Sequence, residues 1–463
     1  MAAALLAAAF LALPAAQARA AAPLTLDEVL RATRDTHPGI EAADRGIDKA
    51  SGKAFAARGG FDPMLSIRAK WEPVGYYTNS QVDALVYQAT PLWGTSLYAG
   101  YRFGWGSFPG YKGDLETLSG GELRAGVELP VWRNGPIDLK RAKIQRTRLR
   151  EGGARSERDA AELEIERDAA WAFWDWVAAG QKLQVSREVL GIAQQRDAGL
   201  QELAKAGAIE RIKLVDNRRL VVSRQAKVVE SERKFQASTL KLSLYLRDGD
   251  LQPVRVGEDR VPPRIPEPFG VDMLTVEQEI EQAIARRPDL AAMLAERDAL
   301  EVNLRLARNQ RAPDVKLQSY VARDFGDGPD ELRPTEFGVG AYLSVPLPLR
   351  ELRGNFRVAQ AEVASIEAKL RGMQDKIGAE IRTALVALGA AQQRVQLARE
   401  QVALANELAE AERTRFSAGA SDLVIVNLRE RAAADAANQV IDALADFQRA
   451  RADFLVATGR SPS

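Results

Sequence analysis

LKRAKIQRTRLREGGARSERDAAELEIERDAAWAFWDWVAAGQKLQVSREVLGIAQQRDAGLQELAK fills residues 139–205 without a single proline. Read as one α-helix, it is on the order of 100 Å long at 1.5 Å per residue. Gly207 follows, a residue free to take positive φ and end the helix, and a second long helix is expected over about Ile209–Leu246. The arrangement returns further along: Glu351–Phe416, then Gly419, then Ser421–Thr458. Val185, Val189 and Ile192 keep a 4-3 spacing. The equivalent Leu397, Gln401 and Leu404 continue as Leu408 and Ala411, a coiled-coil-like seam. Alanine and charged residues fill the remaining faces, so these helices cannot build a thick globular core. They must lie side by side. Four helical legs cannot close a wide tube, which implies an oligomer.

The whole chain is duplicated. Leu24-Thr25-Leu26 and Pro38 return 250 residues later as Leu274-Thr275-Val276 and Pro288. Ala57-Arg58 and Pro63 return at the same offset as Ala307-Arg308 and Pro313. Leu129-Pro130 matches Val345-Pro346 at 216, and Ala206-Gly207-Ala208 matches Ala418-Gly419-Ala420 at 212. The first copy therefore holds an insertion of about 34 residues between Pro63 and Pro130. The reading assigns residues 21–250 to the first copy and 274–463 to the second. Residues 251–273, with five prolines between Leu251 and Phe269, form an extended linker.

Each copy opens with a short and a longer helix, Leu26–Thr36 with Pro38–Ala57, and Val276–Arg286 with Pro288–Asn309. Two strands follow, expected at 61–71 and 121–132 in the first copy and at 313–323 and 335–347 in the second. Leu65, Ile67, Ala69 and Trp71 alternate with Ser66, Arg68 and Lys70, and Leu123 through Val131 alternate with Glu122, Arg124 and Glu128. About ten residues suffices for a tilted strand to cross a bilayer, and one apolar face with one polar face suits a water-filled barrel. A soluble sandwich shows the same alternation, so the strands alone leave both open. The insertion, roughly Tyr76–Pro109, lies in a segment holding 13 of the 30 aromatics (Phe61–Trp132). Gln81–Gln88 and Ser96–Trp105 read as a hairpin that either adds two strands or forms an extracellular loop. The loop is preferred, because the second copy has no counterpart.

Composition removes whole classes of chemistry. There is no cysteine and one histidine, His37, so thiolate sites, disulfides and histidine-based metal clusters or triads cannot form within one chain. With 64 basic and 63 acidic residues the net charge is +1, which gives no long-range attraction for nucleic acid. No cofactor is expected. Residues 1–20 read as a signal peptide, with an apolar run Ala2–Leu13 and an A-x-A site at Ala18-Arg19-Ala20. Beyond it no apolar run is long enough for a membrane helix.

By its motifs the chain resembles the outer membrane efflux protein family, typified by TolC. Arg287-Pro288-Asp289-Leu290, then Ala307-Arg308 and Pro313-Asp314-Val315-Lys316-Leu317, is similar to the family's approach to the first strand of a repeat. Ser344-Val345-Pro346-Leu347 and the turn Phe416-Ser417-Ala418-Gly419-Ala420-Ser421-Asp422-Leu423 follow in the family's order. The resemblance implies a mainly helical fold with membrane β-structure. Long antiparallel helices would form a periplasmic α-barrel, beneath a shared trimeric barrel of four strands per chain in the outer membrane. It further implies a homotrimer in outer-membrane lipid, not an enzyme, acting as the exit duct of a tripartite efflux or type I secretion system. A periplasmic adaptor and an inner-membrane pump would deliver the cargo.

Candidate functional residues gather at the helical turns. Glu210 and Asp422 each lie three residues past a turn glycine, and in a trimer they would make a ring of six carboxylates. The plainer role is as acidic residues at helix N-termini, with Ser421 as the cap. Where family members carry gating aspartates, this chain has Ile425 and Leu428. Lys205, Gly207, Arg211, Gly419 and Ser421 are the candidate adaptor-docking residues. Trp171, Phe173, Trp174 and Trp176 are read as packing residues in preference to a cargo patch, and His37 as an exposed helix-end residue. The competing class is a soluble periplasmic coiled-coil scaffold or adaptor, which explains the helices but not paired alternating strands in both copies.

Overall fold

The computed structural model describes residues 22–110, 115–268 and 276–463. The signal-peptide reading lies outside them, as does part of the linker.

The first copy begins with α1 (Leu26–Thr36) and α2 (Pro38–Arg58). Thr25 caps α1 by accepting from the Glu28 amide at 3.2 Å. His37 caps α2, its Nδ1 accepting from the Gly39 amide at 3.1 Å, while Pro38 starts the helix with its φ already suited to it. The second copy repeats the pair as α5 (Val276–Arg286) and α6 (Pro288–Gln310). The long helices are α3 (Leu139–Lys205, 67 residues) and α7 (Arg350–Ser417, 68 residues). They return through α4 (Arg211–Leu242) and α8 (Leu423–Ala457).

These helices form a single layer. In its upper half the row runs α2, α3, α6, α7; in its lower half it runs α4, α3, α8, α7. α3 and α7 are long enough to serve both halves. A row of this kind has a free side at each end, and apolar residues stand exposed there. On α4 they are Val215, Val222 and Val229, seven residues apart; on α7 they are Leu397, Leu404 and Leu408. The seam read from the sequence is thus open along α7.

Buried side chains concentrate where α1 and the linker cross the row. Trp176, Phe173 and Trp174 of α3 meet Phe447 of α8, with Leu24, Leu30, Val256 and Ile265 closing over them. Trp176 Nε1 donates to Thr239 Oγ1 at 3.2 Å, so the indole is buried with its polar atom satisfied. The aromatic stretch is therefore a packing girdle. Only Trp171 points out, under the Arg167 guanidinium. A second cluster joins Ile280 and Leu290 to Ile377 and Ile381. Arg287 of the RPDL motif bridges Asp289 and Glu380, each at 2.5 Å, tying α6 to α7. His37 departs from its expected exposure: it is half-buried and stacked on Tyr245, with ring centroids 5.5 Å apart.

The strands form one antiparallel meander, β1 (Met64–Glu72), β2 (Asn79–Ala89), β3 (Ser96–Gly106), β4 (Glu122–Pro130), β5 (Asp314–Asp324) and β6 (Glu336–Ser344). This corrects two expectations. The inserted segment is not a loop, and the chain contributes six sheet strands where the family resemblance implied four. The physical reason lies in the backbone: β1 pairs with β2 along its whole length, and β3 pairs with β4, so the hairpin supplies the hydrogen-bond partners for both. β1 and β4 do not touch as partners.

Residues opposite each other across an antiparallel pair share a face. One face therefore carries Leu65, Ile67, Val82, Val86, Leu97, Phe103, Leu123, Val127, Leu317, Val321, Val339 and Leu343. The other carries Arg68, Gln81, Asp83, Arg102, Glu122, Arg124, Glu128, Lys316 and Gln318. Most large residues of the apolar face are exposed, whereas the polar face is laced with ion pairs.

Candidate functional site: the helical tips

The α3–α4 and α7–α8 turns close with the same device. Gly207 and Gly419 sit at φ +74° and +75°, and a Cβ at either would meet no neighbour, so backbone conformation is the reason for glycine. Their amides and those of Ala208 and Ala420 bond back to the last turns of α3 and α7.

Glu210 and Asp422 both occupy the N-cap position of the returning helix. Asp422 accepts from the Val424 amide at 3.0 Å, whereas Glu210 makes no capping bond. The cap is therefore Asp422, not Ser421. Ser421 lies one residue too early, and its hydroxyl donates to the Glu412 carboxylate instead. Among the described residues Lys205 pairs only with Glu202 on its own helix, at 2.7 Å, and Lys205, Gly207, Glu210, Arg211, Gly419 and Asp422 are all exposed. Ile425 and Leu428 are exposed too, Leu428 lining a groove between α8 and α4 with Val424, Leu220 and Arg224. Among the described residues no hydrogen bond or ion pair joins one tip turn to the other.

What does join the four lower helices lies two turns above the tips. Glu430 of α8, only 3% exposed, receives Arg196 of α3, Arg413 of α7 at 3.0 Å and Arg224 of α4 at 3.4 Å. Arg196 also donates to Asn427 at 2.8 Å, and Arg224 to the Val189 carbonyl at 2.8 Å. Burial works to raise the Glu430 carboxyl, but the hydrogen bonds and charges of Arg196 and Arg413 outweigh it and hold it below the ordinary glutamate range. Burial lowers the Arg224 guanidinium; Glu430 raises it, and Arg196 and Arg413 lower it further. Sequence reasoning missed this cluster. Its members lie up to 234 residues apart and share no spacing.

No group of His, Cys, Asp or Glu suited to a metal ion occurs among the described residues. Nor is any described helix long and apolar enough to cross a membrane.

The fold is that of a TolC-like outer-membrane channel protomer: a curtain of long helices below a sheet with one apolar and one polar face. A family model described as outer membrane efflux protein matches residues 280–460, the same family that the motifs resemble. Among solved structures, a membrane protein from Pseudomonas aeruginosa superposes with a TM-score of 0.66 at 17% identity, covering 98% of this chain and 99% of that one. VceC, an outer membrane protein of Vibrio cholerae, gives 0.64 at 18% identity over 95% and 97%. The open state of the Neisseria gonorrhoeae MtrE outer membrane channel gives 0.65 at 15% identity over 95% and 89%. No curated protein matches the sequence.

Proposed function

We propose that this chain is one protomer of a trimeric outer-membrane export duct, through which cargo passes passively after delivery by an inner-membrane pump and a periplasmic adaptor. One observation carries the reading: a single open sheet has an exposed apolar face, an ion-paired polar face and two unpaired edges. Exposed apolar surface of that extent requires a partner, and lipid is the partner for a sheet whose other face suits a water-filled lumen. The unpaired edges of β1 and β6, and the apolar stripes on α4 and α7, then meet their complements on neighbouring copies in a closed ring. The soluble-scaffold alternative leaves the apolar sheet face uncovered.

Within this reading Glu210 and Asp422 line the periplasmic mouth, and Ile425 and Leu428 flank it as apolar wall. Lys205, Gly207, Arg211, Gly419 and Ser421 present the surface for the adaptor. The test is extraction from outer-membrane fractions in mild detergent, followed by mass measurement and planar-bilayer recording. A species of three protomer masses with stable unitary currents supports the duct. A soluble monomer without currents refutes it.

A further inference from the structure

The hairpin β2–β3 has no counterpart in the second copy, yet it is built as membrane wall. Along it, Val82, Ala84, Val86, Leu97, Ala99, Tyr101, Phe103 and Trp105 fall on the apolar face and continue the bands of β1 and β4 without a break. On the opposite face Arg102 donates to Asp83 at 2.6 Å, beside the Arg124–Glu122 pair of β4 at 2.7 Å. The Arg124 guanidinium in turn lies 4.6 Å over the Tyr320 ring of β5. An aqueous flap needs neither a continuous apolar band nor a polar ladder shared with the wall.

The ends of the hairpin agree. Its turn, Thr90–Thr95, docks where the sheet meets the helices: a Cβ on Gly94 would lie 2.4 Å from the Asn134 carbonyl, and one on Gly135 would lie 2.5 Å from Trp93 Nε1. The hairpin therefore descends to the helical end of the sheet before returning. Exposed Trp93 and Trp132 mark that end, and exposed Trp71 and Trp105 mark the other, as paired aromatic girdles do at the two surfaces of a bilayer. Between them, 9–11 residues per strand give a band about 25 Å tall at a tilt near 40°.

We propose that β2 and β3 span the membrane and that the trimer closes, β6 of one copy on β1 of the next, into an 18-stranded barrel. This rests on the trimeric reading above. At about 4.8 Å between strands and about 40° of tilt, 18 strands make a backbone cylinder about 36 Å across, whereas 12 strands make one about 24 Å across. The helical row sets an independent scale. Four helices per chain at every level, about 10 Å apart, give a 12-helix tube about 38 Å across. At that tilt six strands per chain give a barrel close to the tube in width, and four give a narrower one. The exit section is accordingly as wide as the tunnel, so the duct passes through the outer membrane without narrowing.

The absence of cysteine makes the test direct. Leu65, Val86, Ala99 and Ala125 stand in one row across β1, β2, β3 and β4. In the full-length protein, single cysteines at Val82, Val86 and Ala99 should resist an aqueous maleimide and carry fluorophores quenched by nitroxide lipids. Cysteines at Gln81 and Leu85 should label from water. The pair Leu65→Cys with Ala125→Cys, three strand spacings or about 14 Å apart, should not form a disulfide. Uniform aqueous labelling, or cross-linking of that pair, in a trimer that still conducts would overturn the 18-stranded barrel and leave the duct standing. Loss of trimer and current in the cysteine-free parent would overturn both.

Discussion

Glu430 sits where four helices come within reach of one carboxylate, and its three arginine partners make it the point at which the lower row is tied together. Removing one partner of a buried ion pair typically costs about 3–5 kcal/mol, because the charges left behind lose compensation. Glu430→Ala should lose stability of that order in denaturant titration, with Glu430→Gln losing less. Hydrogen exchange should rise first in the lower halves of α3, α4, α7 and α8. The pH dependence follows from the depressed carboxyl. A group held below its ordinary value contributes fully above the usual glutamate range and loses that contribution as pH falls through the folded value. The tips should therefore loosen selectively below about pH 4, seen as exchange around Leu423–Arg431, while the girdle at Trp176 stays protected. Asp422 separates two roles. Asp422→Asn keeps a good cap but removes the charge, so a carboxylate ring predicts reduced cation preference in Asn and Ala variants alike. A capping role alone predicts unchanged selectivity in Asn and a loss of about 1 kcal/mol in Ala.

At the scale of elements, the long helices were legible because proline is absent from them and glycine punctuates them; the sequence places α1, α3 and α5 at their observed ends. The sheet faces were legible from alternation alone. The hairpin β2–β3 reads as a hairpin in the sequence; the lack of a counterpart in the second copy points to a loop, but its own period-2 pattern matches its neighbours and the sheet follows that pattern. Ser421 reads as a cap as readily as Asp422 does, since Ser and Asp are equally good at that position and only the backbone decides between adjacent residues. The Glu430 cluster carried no local signal at all, being assembled by the packing of α3, α4, α7 and α8. The open apolar stripes were half legible: Leu397, Leu404 and Leu408 read as a seam, but not that the chain itself leaves it bare. If α4 of one copy covers α7 of the next, a charge in the middle of either stripe should part the ring. Val222→Asp or Leu404→Asp should shift the detergent-extracted species from trimer to monomer in mass measurements. Ala substitutions at the same positions should weaken it by about 1–3 kcal/mol each.

For the whole molecule, the proposed barrel and mouth should differ in how strongly their charges reach a passing ion. The polar sheet face mixes Arg68, Lys70, Arg102, Arg124 and Lys316 with Glu72, Asp83, Glu122, Glu128, Asp314, Asp324 and Glu336. Its opposite charges interleave, so their fields offset in large part and leave a small acidic excess. A wall about 18 Å from the axis also lies beyond the Debye length of about 8 Å at physiological salt, and within the 30 Å that holds near 0.01 M. Carboxylates brought together at a constricted mouth stay inside either length. Arg68→Glu, which changes the wall by two charges per chain without touching a described ion pair, should thus leave the reversal potential in a salt gradient unchanged at about 0.15 M. It should shift that potential toward cations only when the salt is dilute. Asp422→Asn should shift it toward anions under both conditions. If Arg68→Glu alters selectivity at high salt as strongly as Asp422→Asn does, the barrel is narrower than its six strands per chain imply, and the exit, not the periplasmic mouth, selects what leaves.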